Sequence, residues 1–157
     1  MTSEDERQQA LVRAYRLLAI RSRSEQEMRR SLGRADFGEA AIEEAISELH
    51  RRGLLNDGEF ASEWAESRMH SRPRGRRLIE HELRTRGVDE EHVAAATSGI
   101  DDDTTALELA KRRARLMQGL DRQTFVRRLS NYLRARGFSG ETISRAVTAV
   151  LSVGDDS

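Results

Sequence analysis

The sequence predicts an all-α protein, an elongated array of three tandem three-helix repeats with about nine helices. Three observations predict it. Apolar residues recur at a helical period along the chain while strand-type alternation is missing. A single proline, Pro73, interrupts 157 residues. One apolar pattern also appears three times, as Leu32, Phe37, Ile42 and Ala45, then Leu83, Val88, Val93 and Ala96, then Leu133, Phe138, Ile143 and Ala146. The Leu positions lie 51 and then 50 residues apart, a period that points to stacked supersecondary units.

The spacing has a physical meaning. Met28, Ile79 and Leu129 each precede the pattern's Leu by four positions, so both residues share one helical face. A helix that stops shortly after the Leu needs a left-handed residue. Gly87 and Gly137 stand there, with Asp36 as a tolerated substitute in the first copy. Phe37, Val88 or Phe138 then plugs the corner, and Asp89 and Ser139 offer N-cap oxygens to the helix that follows. The repeating unit is a helical corner, and the expected domains are 1–55, 56–99 and 100–157, the last with a short acidic tail.

The elements follow in order. Ser3 and Glu6 stand in a capping-box relation ahead of Leu11, Ala14, Tyr15 and Leu18, which share one face. After a turn over 21–24, Ser24 with Glu27 forms a second capping box and opens the helix of Met28 and Leu32. The third helix carries Ile42, Ala45, Ile46 and Leu49 and ends at Gly53, after which Leu54 and Leu55 form a buried connector. Asn56 or Asp57 caps the fourth helix, with Phe60, Trp64 and Arg68, which must stop near Pro73. Leu78, Ile79 and Leu83 belong to the fifth helix, and Val93, Ala96 and Thr97 to the sixth. Beyond Gly99, Asp101 to Asp103 favour the start of the seventh helix, which bears Leu107, Leu109, Ala110 and Met117. Asp121 caps the eighth, with Phe125, Leu129, Tyr132 and Leu133, and the ninth runs through Ile143, Ala146, Val147 and Val150.

Each unit has few large apolar side chains, contributing about 1.5–3 kcal/mol apiece when buried. Ordering the backbone costs about 1–2 kcal/mol per residue, so a unit standing alone is marginal. The units should lean on one another through Leu54, Leu55 and their equivalents. Cysteine is absent, which excludes disulfides and thiolate metal sites and makes a reducing, cytoplasmic home the simplest expectation. No stretch reaches the roughly 18 apolar residues of a membrane span, and the acidic start, Glu4, Asp5 and Glu6, is wrong for a signal peptide.

Formal neutrality conceals charge separation. Residues 68–87 carry seven Arg against two acids, and residues 111–137 carry nine basic residues against one acid. Within these stretches Arg72, Arg74, Arg76 and Arg77 surround Pro73 and Gly75; Lys111, Arg112, Arg113 and Arg115 crowd one helix end; and Arg127 and Arg128 follow. A solvated helix surface is the plain explanation. A basic track for phosphates or for an acidic partner surface is the functional one, which the planar guanidinium suits, and these ten residues are the candidate contacts.

Catalytic patterns are weak. His81-Glu82-Leu83-Arg84-Thr85 begins like a zinc-protease helix but has Thr where the second His must stand. No glycine-rich phosphate loop surrounds Lys111, the sole lysine, and no Ser has a defensible His and acid arrangement. No catalytic residue, cofactor or metal is expected. Trp64 and Tyr132 could stack on bases, but their helical spacing with Phe60 and Leu129 favours core packing.

Several stretches together resemble the RecX family of recombination regulators. They are Arg21-Ser22-Arg23-Ser24 with Glu27-Met28; Gly53-Leu54-Leu55-Asn56-Asp57 with Phe60-Ala61 and Trp64; Gly75 with Arg77-Leu78 and Glu82-Leu83; and Arg136-Gly137-Phe138 with Ile143 and Ala146. The chain departs from that family's pattern with Met28 where Leu is usual and Asp36 where Gly is usual, changes that keep volume and cap geometry. The resemblance spans about Ala14 to Leu151. It implies three tandem three-helix repeats and a monomeric protein without catalysis that binds the RecA recombinase filament on single-stranded DNA. Restraint of filament growth, strand exchange, ATP hydrolysis and co-protease activity would follow. The competing class is a stand-alone helix-turn-helix nucleic-acid binder. Against it, the third helices carry Glu43, Glu44, Glu48, Glu90 and Glu91, which phosphate would repel. A structural adaptor would differ only by partner.

Overall fold

The computed structural model describes residues 2–155, which form nine helices and no strand. They are α1 (Ser3–Ile20), α2 (Glu25–Arg34), α3 (Glu39–Arg51), α4 (Asp57–Ser71), α5 (Arg76–Thr85), α6 (Glu90–Thr97), α7 (Asp102–Arg115), α8 (Arg122–Ala135) and α9 (Gly140–Asp155). The expected acidic tail reaches Asp156, which lies outside the described residues. No described helix is long and apolar enough to cross a membrane. Two compact units emerge, one from the chain up to Trp64 with Leu83–Ala96, the other from Ala65–Glu82 with the chain from Thr97 onward.

In the first unit α1, α2 and α3 pack pairwise around Ala10, Ala14, Met28, Leu32, Ala45 and Leu49, all fully buried. Leu11, Tyr15 and Leu18 close the edge, the face their spacing predicted. The corner geometry is as expected, with Asp36 at φ 64° and Gly87 at φ 79°. Three details differ from expectation. The capping box of α1 is one residue earlier, between Thr2 and Asp5, and the freed Glu6 carboxylate instead accepts the Gly38 N–H at the start of α3, 2.6 Å away. Leu55 is buried but Leu54 is 43% exposed, because after the Gly53 turn successive side chains point to opposite sides. Asn56, not Asp57, caps α4, its Oδ1 accepting the Glu59 N–H at 3.1 Å.

Asp57 has another task, and it exposes how repeats are joined. The backbone N–H of Glu25, first residue of α2, donates to Asp57 Oδ1 at 2.9 Å, and the Ser24 hydroxyl donates to the Arg86 carbonyl at 2.7 Å. The helix start of one repeat is thereby fastened to the corner and the first helix of the next. A side chain added at Gly87 would overlap Gln26.

The second unit repeats this joint with different residues. Arg76 N–H, at the start of α5, donates to Asp102 Oδ1 at 2.9 Å, and Gly75 N–H donates to the Arg136 carbonyl at 2.7 Å. Gly75 is buried, and a Cβ there would overlap the Gly137 carbonyl, so only glycine permits the two backbones to meet. Around the joint α7, α8 and α9 pack pairwise on Leu109, Leu129, Leu133, Phe138, Ile143 and Val147. Met117 lies just past the end of α7 but still packs against this core. In the third repeat α8 begins one turn earlier relative to Leu133. The position matching Ser24 and Gly75 is Phe125, whose N–H bonds within its own helix start to the Asp121 carbonyl at 2.9 Å.

Two predictions follow for the first unit. Ser24→Ala removes both an N-cap and the Arg86 bond, so chemical denaturation should show a loss of about 1–2 kcal/mol. Glu27 is the reciprocal half of that cap. Burial alone would raise its pKa, but the Arg21 guanidinium and the Ser24 N–H together hold it below its ordinary value. Glu25 is lowered as well, first by its hydrogen bond to His50 and then by Arg29. Carboxylates depressed in the folded state stabilise it above their ordinary pKa, and that stability is lost as pH falls through the folded value. Resistance to denaturation should therefore fall below about pH 4.3, and Glu27→Gln should flatten that slope while costing about 0.5–1 kcal/mol at neutral pH.

Candidate partner-binding surface

All ten candidate residues belong to the second unit. Pro73 ends α4 at Ser71, and the loop 72–75 is tied down by the Gly75 bond and by Arg136, whose Nη1 donates to the Pro73 carbonyl at 3.3 Å. The four arginines of the loop and the α5 start then part company. Arg74 has a side chain only 13% exposed, with Nη1 2.6 Å from Glu82 Oε1 and Nε donating to the Arg72 carbonyl at 2.9 Å. Arg68 meets the same carboxylate at 3.3 Å. Arg76 reaches Glu80 one turn along α5 at 2.8 Å. Arg72 and Arg77 are exposed, and neither has a carboxylate within ion-pairing distance among the described residues.

The α7 end behaves differently from the loop. Lys111, Arg112, Arg113 and Arg115 are exposed in its last turns, where cations complement the helix dipole, and none has an acidic partner among the described residues. Arg113 places its guanidinium 4.8 Å from the centre of the Tyr132 ring, and Arg136 lies 5.3 Å from the same ring. Arg127 and Arg128 are exposed on α8. Asp121, the acid at that helix start, is engaged as the N-cap, accepting the Thr124 N–H at 3.1 Å. Its pKa is lowered, chiefly by hydrogen bonding from Thr124.

The first unit is mixed. There Arg7 pairs with Glu4 and Glu44, Arg21 with Glu27, Arg29 with Glu25 and Glu43, Arg51 and Arg52 with Glu48, and Arg84 with Glu90, while Arg13, Arg16, Arg30 and Arg34 are exposed with no carboxylate within ion-pairing distance among the described residues. Exposed positive charge without an acidic partner in the second unit lies on Arg72, Arg77, the α7 end and α8, where Arg122 and Arg134 stand with Arg127 and Arg128. A surface of this kind attracts an anionic polymer or acidic protein over about 8 Å at physiological salt.

Two residues outside the ten belong with this surface. Arg136 links the loop 72–75 to Tyr132, and Tyr132, though packed on the core as expected, also carries Arg113. The spacing of Arg128, Tyr132 and Arg136 at four-residue steps was the available signal, since such residues share a helix face. Glu43, Glu44, Glu90 and Glu91 are exposed on the third helices of the first two repeats. Among the described residues no three His, Cys, Asp or Glu side chains gather as metal ligands would. His50 is instead paired with Glu25 at 2.5 Å.

Fold and side-chain pairing together define a helical tandem-repeat protein whose second unit carries several exposed cations without acidic partners among the described residues. Three family models match in series: the first three-helix domain of RecX over residues 10–49, the second over 56–96 and the third over 101–147. The chain belongs to the RecX family, one of regulatory proteins. The regulatory protein RecX of Streptomyces coelicolor is 37% identical over 147 residues, spanning 92% of this chain and 78% of that protein. Its counterpart from Mycobacterium leprae is 31% identical over 152 residues, 94% of this chain and 89% of that one. The crystal structure of RecX from Lactobacillus salivarius has the same fold, with a TM-score of 0.81 at 22% identity over 96% of this chain and 99% of that chain.

Proposed function

We propose that this protein binds the RecA recombinase filament on single-stranded DNA in the cytoplasm and inhibits its growth, strand exchange, ATP hydrolysis and co-protease activity, with no catalysis of its own. The observation that carries this reading is the set of cations without acidic partners, Arg72, Arg77, Lys111, Arg112, Arg113, Arg115, Arg127 and Arg128, in a family of regulators. Arg74 and Arg76 support that surface from within by fixing the loop and the α5 start. The anionic partner is acidic filament surface or the DNA it encloses, and the protein acts as a monomer.

The test is ATP hydrolysis by the cognate recombinase on single-stranded DNA with rising amounts of this protein. Loss of hydrolysis well below one molecule per recombinase subunit would mark action at filament ends, and near-stoichiometric loss would mark coating. Unchanged hydrolysis at tenfold molar excess would sink the reading. A salt titration on bare single-stranded DNA separates the stand-alone binder, which would bind tightly with a slope near −0.7 per phosphate contact.

A further inference from the structure

At the far end of the third repeat a groove of about 640 Å³ opens between the end of α7, the start of α8 and the end of α9. Its floor is apolar, from Leu120, Phe125 and Val150, and its rim carries Lys111, Arg115 and Arg122. Among the described residues no acidic side chain lines it, and none of the three rim cations has a carboxylate within ion-pairing distance. Val153, 67% exposed, lines it, and Leu116, 77% exposed, directly follows the rim residue Arg115 in the chain.

The apolar features do not suit the role assigned to the cations alone. Nucleic-acid backbone needs charge and hydrogen-bond donors, and exposed Leu and Val next to an apolar floor add nothing for a phosphate. They suit a ligand with both an apolar and an anionic side. The matching joint positions in the first two repeats are covered by the following repeat, whereas Phe125 is only half-buried.

We propose that this groove receives an acidic amphipathic protein segment, a helix that seats Leu-type side chains on Phe125 and Val150 and sets carboxylates against Lys111, Arg115 and Arg122. Apolar burial supplies the affinity and the three cations set orientation and reject basic helices. The groove shares Lys111 and Arg115 with the filament-facing cations, while Arg122, the apolar floor and Val153 are its own.

The experiment uses the full chain and a fluorescein-labelled 16-residue peptide made of four Glu-Glu-Leu-Leu blocks, read by fluorescence anisotropy. Saturable binding is expected, with at least tenfold weaker binding by K111E/R115E/R122E and by Val153→Glu, and none by the Lys-Lys-Leu-Leu counterpart. Val153→Glu lies on the exposed end of α9, so it tests the groove even if the triple variant fails to fold. Absence of saturable binding up to 1 mM peptide overturns the proposal, including the case where the chain's own end occupies the groove. Equal affinity for the lysine peptide also overturns it, as does a 20-residue oligo-dT that displaces the peptide and binds the Val153→Glu variant unchanged.

Discussion

Gly75→Val is expected to cost about 3 kcal/mol and to lower the melting temperature of the chain by about 6–12 °C in a calorimetric scan. The new side chain would overlap the Gly137 carbonyl, and both backbones would have to part, straining the 2.7 Å bond from Gly75 N–H to the Arg136 carbonyl. Neither side can yield cheaply, since the loop is also held by the Arg136 to Pro73 bond and Phe138 behind it is buried in the core. The matched control is Gly33→Ala in α2, where nothing lies within 4 Å of the added carbon. That change should raise stability by about 0.5–1 kcal/mol through helix propensity alone. A Gly75→Val protein melting within 2 °C of the parent would show that the repeats are not locked at this point.

Reversing Arg77, Arg112, Arg127 and Arg128 to Glu is expected to raise the concentration for half-inhibition of recombinase ATP hydrolysis at least tenfold, about 1.4 kcal/mol of binding, with the melting temperature nearly unchanged. These cations have no acidic partner among the described residues, so their removal strips charge without orphaning a carboxylate. Arg74→Gln should do the opposite. It leaves Glu82 half-buried with one guanidinium fewer, at a cost of about 2 kcal/mol in stability, and should move inhibition less than twofold. If the fourfold reversal inhibits as well as the parent, the α7 and α8 cations are cleared of the role.

The corner was legible because it depends on local chemistry. A left-handed residue after Leu, a plug beyond it and a cap oxygen all lie within six positions, and Asp36, Gly87 and Gly137 all adopt the required φ. The Ser24 and Glu27 box and the Asp121 cap were legible for the same reason. The joint was not, since it pairs Ser24 with Arg86 and Gly75 with Arg136 across some sixty positions, through backbone carbonyls that carry no residue signature. Leu54 and Leu55 are identical in kind, and only the backbone direction after Gly53 decides which is covered. Of the arginines around Pro73 and Gly75, the Arg76 pairing with Glu80 follows helix spacing. The Arg74 pairing with Glu82 needs the loop to fold back over α5, and that choice separates structural from available charge.

The extra turn at the start of α8 limits how such a chain can grow. The middle repeat presents both halves of the joint, the acceptors Asp57 and Arg86 toward the repeat before it and the donors Gly75 and Arg76 toward the repeat after it, so a duplicated middle segment could be spliced in and still couple to its neighbours. Duplicating the last segment could not, because its amide hydrogens at that position are already used inside α8. Length variants of this architecture should therefore arise by internal insertion, with the third repeat kept as a terminator.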